Sequence, residues 1–416
     1  MMPVKIDVGK VRFNEAIDFF KVKLNLPSRS WNDLSAEVHA RAFSVAGATK
    51  QSLIDDLRLA TEKAVTDGIS IGQFRKDFDV LVAKHGWDFK GEHSWRTRVI
   101  YDTNLRTAHM AGRWKQIQRL KDTRPFLQYT AVMDNRVRPE HAAWNKIVLA
   151  VDDDWWDSHY PPNGWGCRCT VRSLSARDMR REKLDVGQAP TIQREDRINP
   201  RTGEVFPNVP AGIDPGWDYN VGKAWLGPDQ ALGEHIMRMP DDLRSQALNE
   251  AQKLVPHLAK EFSPWVTSLT TRKTALGEIK TVGFISESVV SKLAMRQQLP
   301  TSALITATDK DVMHMLRDAK VGKHLPMDMV RALPSSIDAA KAVLLDKRDN
   351  ALLYVFDPPG DDRQGKVVIR VNYKVKARGG DGRRHTVVTN SLRTGGLVKR
   401  ADLVDADVYE VIEGKL

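Results

Sequence analysis

Cysteine is nearly missing from this chain: Cys167 and Cys169 are the only two in 416 residues. A bridge between residues so close would close a small, strained ring, so the sequence predicts reduced thiols and no disulfide framework, as in a reducing compartment. Long apolar runs are missing too. No segment stays apolar for the roughly 18 residues that a membrane span requires. The first 20 residues alternate charged and apolar side chains where a secretion signal needs an unbroken apolar stretch. The expectation is a protein made and kept in a cytoplasm, with no membrane span. Internal repeats and low-complexity tracts are absent, which excludes repeat architectures. Acidic residues are in deficit, 53 against 64 lysines and arginines, for a formal charge of +11. Such a surplus favours RNA or DNA as a partner, although a basic excess spread over so long a chain also occurs in proteins that touch no nucleic acid.

What is present is ordinary globular material. Hydrophobic residues at 41% and charged residues at 28% can support real cores, and the length calls for two or three domains. From Asn14 to Lys90 the pattern is helical, broken at Leu26-Pro27-Ser28 and Asp67-Gly68, with Ser30 and Asp33 read as caps ahead of Leu34, Val38, Ala42 and Val45. A longer amphipathic helix is predicted over Ser94–Leu120. Its apolar stripe is Trp95, Val99, Thr103, Ala108, Met110, Trp114 and Ile117, and its other face carries Arg96, Arg98, Arg106, Arg113 and Lys115. After Pro125 come short strands and loops dense in tryptophan and proline, then an irregular strap over 186–217. Helices return over 229–268, with Pro256 as an interruption. Beyond Gly277 the order is helix, then sheet: Thr308 to Asp311 resembles a capping box, a short helix stops before Pro334, and strands are predicted at 342–345, 352–356, 366–375, 384–391 and 408–412. The whole reads as a multidomain α+β chain. It comprises a mostly helical N-terminal domain with irregular Trp-rich loops (1–228), a helical spacer (229–276) and a C-terminal α+β domain with a small antiparallel sheet (277–416).

Three motifs in order carry a family resemblance: Arg98-Val99-Ile100-Tyr101-Asp102-Thr103-Asn104-Leu105-Arg106-Thr107-Ala108, Asp134-Asn135-Arg136-Val137-Arg138-Pro139-Glu140-His141, and Tyr160-Pro161-Pro162-Asn163-Gly164-Trp165-Gly166-Cys167-Arg168-Cys169. The run Gly212 to Asn220 is in the same style. Over roughly the first 225 residues the chain resembles the phage Mu F-like head morphogenesis family. The resemblance implies a minor head protein of the virion, synthesised in the host cytoplasm and added beside the portal, with portal, capsid and scaffold proteins as partners. Relatives look like Asp-x-x-x-Cys-x-x-Cys followed by Pro-Pro-x-His-x-x-Cys-x-Cys, a metal-binding pattern. Here Arg138 and His141 stand at the first cysteines and Gly164 at the histidine. His141, Cys167 and Cys169 remain as ligands, with Asp134 as a candidate fourth. Zinc accepts that mixture, although Cys-x-Cys is tighter than the usual ligand spacing. The alternatives are two reduced thiols packed beneath Trp155, Trp156 and Trp165, with Asp134, Arg136, His141 and Arg168 bonding the loops, or thiol chemistry for which no activating base is evident.

The strand over 366–375 alternates, which on a strict period of two places Arg370, Asn372 and Lys374 on one polar face. His385, Thr389 and Ser391 share a face of the next strand, in a register that sequence does not fix. Histidine, lysine, arginine and hydroxyls together could cleave RNA without a metal: a base and an acid exchange protons while cations hold the anionic phosphate. Helices followed by a meander resemble the barnase-EndoU-colicin-RelE type of phage nuclease over about 280–416. That resemblance implies an RNase or toxin restrained by an immunity protein, with His385 and Lys374 leading, Arg370, Thr389 and Ser391 assisting, and His314, near Arg317 and Asp318, as a further candidate. The competing reading is a non-catalytic module that docks on portal, scaffold or DNA. Asp357, Asp361, Asp362 and Asp381 are the residue type of a two-metal nuclease, but they stand among Pro and Gly, where turn chemistry explains them better.

Overall fold

The computed structural model describes residues 13–416 except 32, 35–36, 201, 224–225, 273, 317–321, 323 and 379–383. Two compact units divide the chain, Met1–Lys223 and Ala224–Leu416. Both mix helix and sheet, in keeping with the α+β class. No helix among the described residues is long and apolar enough to cross a membrane.

In the first unit the helices Asn14–Lys21, Gln51–Asp67, Ile71–His85 and His93–Leu120 turn their apolar positions onto one core that includes Phe20, Leu53, Ile54, Leu57, Phe74, Phe78, Ile100 and Ala108. The break at Asp67-Gly68 is real: Gly68 closes the helix at φ 65°, a conformation that glycine adopts without steric cost. Ser70 then caps the next helix by accepting from the Gln73 N–H at 3.3 Å. The helix expected behind Asp33 is cut to Val38–Arg41 and followed by Ala42–Phe43, which pairs in parallel with Leu24–Asn25. Asp33 closes a turn instead, its Oδ2 accepting from the N–H groups of Arg29 at 2.5 Å and Ser30 at 2.8 Å.

A second core in this unit joins the far end of the long helix to the tryptophan-rich loops. Met110, Ala111, Trp114 and Ile117 meet Trp144, Trp155, Trp156, Tyr160 and Trp217 around a three-stranded sheet. In that sheet Phe126–Thr130 lies between Val148–Ala150 and Thr170–Leu174, antiparallel to both. Trp95, expected in the buried stripe, is 57% exposed. The strap contains a hairpin, Arg194–Ile198 with Val205–Pro210.

The second unit is built on a seven-stranded sheet. Its strand order is Tyr409–Gly414, Ala342–Asp346, Ala351–Phe356, Gln364–Arg378, Arg384–Val398, Leu304–Thr308 and Ile279–Phe284. Every neighbouring pair is antiparallel except Arg384–Val398 with Leu304–Thr308. The helices Leu226–Arg238, Asp241–Gln252 and Val255–Thr271, read from sequence as a spacer, lie within this unit. Thr281 donates to Asp229 at 2.6 Å, Ala303 N–H donates to the Gly233 carbonyl at 3.0 Å, and Leu248, Phe262 and Val266 are buried. The helix Asp241–Gln252 ends ahead of Pro256 and the helix Met327–Arg331 ahead of Pro334, as expected, and each proline stands in the first turn of the next helix, where a missing N–H costs no intrahelical bond. Thr308 does cap the helix Asp309–Met315, accepting from the Asp311 N–H at 3.1 Å.

Candidate functional site

Three buried side chains, His141, Cys167 and Cys169, place one ligand atom each within 4.8 Å of one another. The short helix Pro139–Trp144 presents His141, and the ring stacks on Trp144 with centroids 5.1 Å apart. Cys169 immediately precedes the strand Thr170–Leu174, and Cys167 ends the loop before it. The two cysteines are free thiols. His141 Nε2 lies 2.9 Å from the Gly212 carbonyl. That carbonyl can only accept, so Nε2 carries the proton and Nδ1 offers its lone pair to the sulfurs. Nδ1 is 3.4 Å from Cys169 Sγ and 3.8 Å from Cys167 Sγ. Around a tetrahedral zinc ion with ordinary Zn–N and Zn–S bonds, an N–S edge is about 3.6 Å. The donors therefore fit such an ion at three positions. The Cys167 thiol is held below the usual range, chiefly by the hydrogen bond from Cys169, while the Cys169 thiol is pushed up by its neighbour and by burial. A metal here would tie the helix to the strand.

No fourth His, Cys, Asp or Glu joins this group among the described residues. Asp134, the candidate fourth ligand, is instead taken by Arg168 in a two-pronged ion pair at 2.6 and 2.7 Å, which holds its carboxyl well below the usual range. Arg136 Nη2 stands 3.6 Å from the same carboxylate.

The six residues proposed for phosphate chemistry are not gathered. Lys374 stands opposite Val388 and His385 opposite Ala377. Directly paired residues share a face and alternate along the strand, so Lys374 and His385 project from opposite faces. Thr389 and Ser391 are inside the unit, 1% and 0% exposed, and the Thr389 hydroxyl donates to the Leu304 carbonyl at 3.2 Å. Arg370 reaches Asp349 at 3.2 Å. His314 is exposed on its helix; Arg317, Asp318 and Asp381 lie outside the described residues. Asp361 holds Arg363 within its own turn. Sequence reasoning missed Arg393, the extra residue of a bulge, which donates to the buried Asp311 at 2.8 Å and covers the Tyr373 ring at 4.5 Å.

The family model described as "Phage Mu protein F like protein" matches residues 56–172. The chain is 33% identical over 431 residues to the "Putative capsid assembly protein F" of Escherichia phage Mu, covering 96% of this chain and 95% of that protein. The chain belongs to the phage Mu protein F-like family. It is also 27% identical over 378 residues to the "Mu-like prophage FluMu F protein" of Haemophilus influenzae, covering 83% of this chain and 89% of the relative. No solved structure matches. The similarity to the phage Mu protein covers 96% of the chain and therefore runs past the first unit into the second.

Two of the three positions that depart from the resemblance's ligand pattern, Arg138 and Gly164, meet at one ion pair. Arg138 grips both oxygens of Asp214 at 2.8 Å and also donates to the Trp165 carbonyl at 3.1 Å, while Asp214 accepts from the Trp165 N–H at 2.8 Å. A Cβ at Gly164 would fall on the Asp214 carboxylate and 2.5 Å from the Arg138 guanidinium. The space that a histidine would need is filled by this pair. Asp214 is 76 residues from Arg138, and no local pattern in the sequence marks the partnership.

Proposed function

We propose that this chain acts in assembly of a phage head, as a minor head component beside the portal with portal, capsid and scaffold proteins as partners. The observation that carries the reading is its end-to-end similarity, across both units, to a phage Mu protein described as a capsid assembly protein. The test is to delete the gene from its phage or prophage and examine induced lysates by electron microscopy, with mass spectrometry of purified particles from the parent. Aberrant or DNA-free heads restored by a plasmid copy are expected, with the protein present in parent particles. Normal, filled heads without the gene would sink the proposal.

Within that role the first unit binds one structural zinc through His141, Cys167 and Cys169. Water or a partner's side chain completes the tetrahedron. Metal analysis of the purified protein should find about one zinc per chain, lost in Cys169→Ser; less than about half an equivalent counts against it.

The C-terminal unit is best read as a non-catalytic module that contacts DNA. In support, the strand register puts Lys374, Lys376, Arg378 and Arg384 on one face of the ribbon formed by Gln364–Arg378 and Arg384–Val398, and all four are exposed. A row of four cations along a strand pair matches the spacing of a phosphate backbone better than it serves an acid–base pair. Replacing Lys374 and Lys376 by glutamine should weaken binding of the full chain to duplex DNA and flatten its salt dependence by roughly two phosphate contacts. Metal-independent cleavage of total RNA, abolished by His385→Ala, would favour the ribonuclease reading instead and make an immunity protein the partner to seek.

A further inference from the structure

The first unit contains a cavity of about 580 Å³ beside the helix His93–Leu120, with the strap hairpin on another wall. Aromatic side chains form much of its lining: Trp31, Trp95, Trp165, Phe206 and Trp217. They are linked ring to ring, Trp31 to Phe206 at 5.6 Å and Trp165 to Trp217 at 5.2 Å. Trp31 and Trp95 remain 39% and 57% exposed at its edge. Neither the metal site nor the basic ribbon uses this space.

Lys23 also lines this cavity and is 6% exposed. Its ammonium donates to the His39 carbonyl at 2.6 Å and lies 3.5 Å from that of Ala42, so two carbonyls engage at most two of its three donors. The Phe19 ring lies 5.1 Å from the ammonium, but among the described residues no carboxylate pairs with it, and Arg58 is near enough to repel it. The other lining charges do not compensate. Arg96 is spent on the carbonyls of Ala46 and Lys90, Arg197 is matched by Glu195, and Asp214 belongs to Arg138. An apolar cavity whose one buried ammonium has carbonyl and ring partners but no carboxylate is complementary to an apolar ligand bearing one negative charge.

We propose that this cavity receives a short apolar segment of a partner protein that carries one carboxylate, and that the carboxylate pairs with Lys23. A peptide fits better than a compact metabolite because Ser44 and the Asn104 amide oxygen on the lining can hydrogen-bond a main chain while the rings take its side chains. The exposed tryptophans suit an occupant that enters from outside and leaves its flanks in solvent. The site is defined by this geometry alone, so it stands or falls separately from the head-assembly role.

The probe is a fluorescently labelled pentapeptide of leucine and phenylalanine with a central aspartate, compared with the same peptide carrying asparagine, each titrated by anisotropy into the full chain. The aspartate peptide should bind at least roughly tenfold more tightly, the worth of one charge-assisted hydrogen bond. Lys23→Met should erase that preference while the residual apolar binding persists, and Trp31→Ala should weaken both peptides alike. Equal affinity for the two peptides, or no binding of either at about 1 mM, overturns the proposal on the unaltered protein, so the conclusion does not hang on whether a variant folds. A preference that survives Lys23→Met overturns it as well. Dodecanoate is the remaining arm: binding tighter than that of the aspartate peptide would assign the cavity to a small amphipathic anion and overturn the peptide occupant.

Discussion

Lys23 carries an energetic cost that can be measured without any ligand. Burial, and then Arg58, push its pKa from 10.5 down to about 7. Between those values the unfolded chain holds a proton that the folded chain has shed, so stability rises with pH across the window and the full cost falls at and below pH 7. Lys23→Met keeps the aliphatic stem and removes the charge. At about pH 7 it should stabilise the first unit by about 1–3 kcal/mol, after discounting the lost donor to the His39 carbonyl, and the advantage should shrink towards pH 10. Urea unfolding at the two pH values checks this; a variant less stable at both would mean that the ammonium is paid back inside the fold. Gly164→Ala makes the opposite case, because its Cβ meets the Arg138–Asp214 pair; a loss of about 1–3 kcal/mol is expected from the overpacking. At this scale the sequence was legible where residue types are scarce. Two cysteines and a histidine in a Trp-rich stretch announce a cluster, whereas Asp214 is one of many acidic residues until the fold brings it to Arg138.

Among the elements, the strand Gln364–Arg378 could be read from its alternation, but its faces could not. Period two holds through Arg370. The register then shifts before Tyr373, and Asn372 sits at φ 52°. That bulge is why Arg370 and Lys374, four residues apart, no longer share a face, and an asparagine in an otherwise alternating run gives no warning of it. The strands Ile279–Phe284 and Leu304–Thr308 were missed for the converse reason. Both are buried almost throughout and have no alternation to detect. Asn372 offers a test of the bulge. Its Oδ1 accepts from the Thr301 N–H at 2.7 Å and hydroxyl at 2.9 Å, and its Nδ2 donates to the Leu299 carbonyl at 3.2 Å. Asn372→Gly loses these bonds but sheds the Cβ that strains a left-handed residue, at about 1–2 kcal/mol; Asn372→Ala loses the same bonds and keeps the Cβ, and should cost about 1 kcal/mol more. Equal losses would argue that the left-handed conformation is not kept in solution.

For the molecule as a whole, the division at residue 224 separates two sources of stability. Nine of the 11 tryptophans precede that boundary, so tryptophan emission follows the first unit, while far-ultraviolet circular dichroism follows both. If zinc sits on His141, Cys167 and Cys169, it stabilises only the unit that binds it, by an amount set by the ratio of free metal to dissociation constant. A chelator should then lower the midpoint of the emission transition by several degrees, roughly what a loss of 1–2 kcal/mol produces in a unit of this size. The part of the dichroism change not mirrored in emission should stay in place. Asn372→Ala should do the reverse, moving the dichroism component and sparing the emission. A chain whose two signals coincide and move together under both treatments would be one cooperative body, and the sheet-bearing unit could not then be assigned a binding role separate from the tryptophan-rich core.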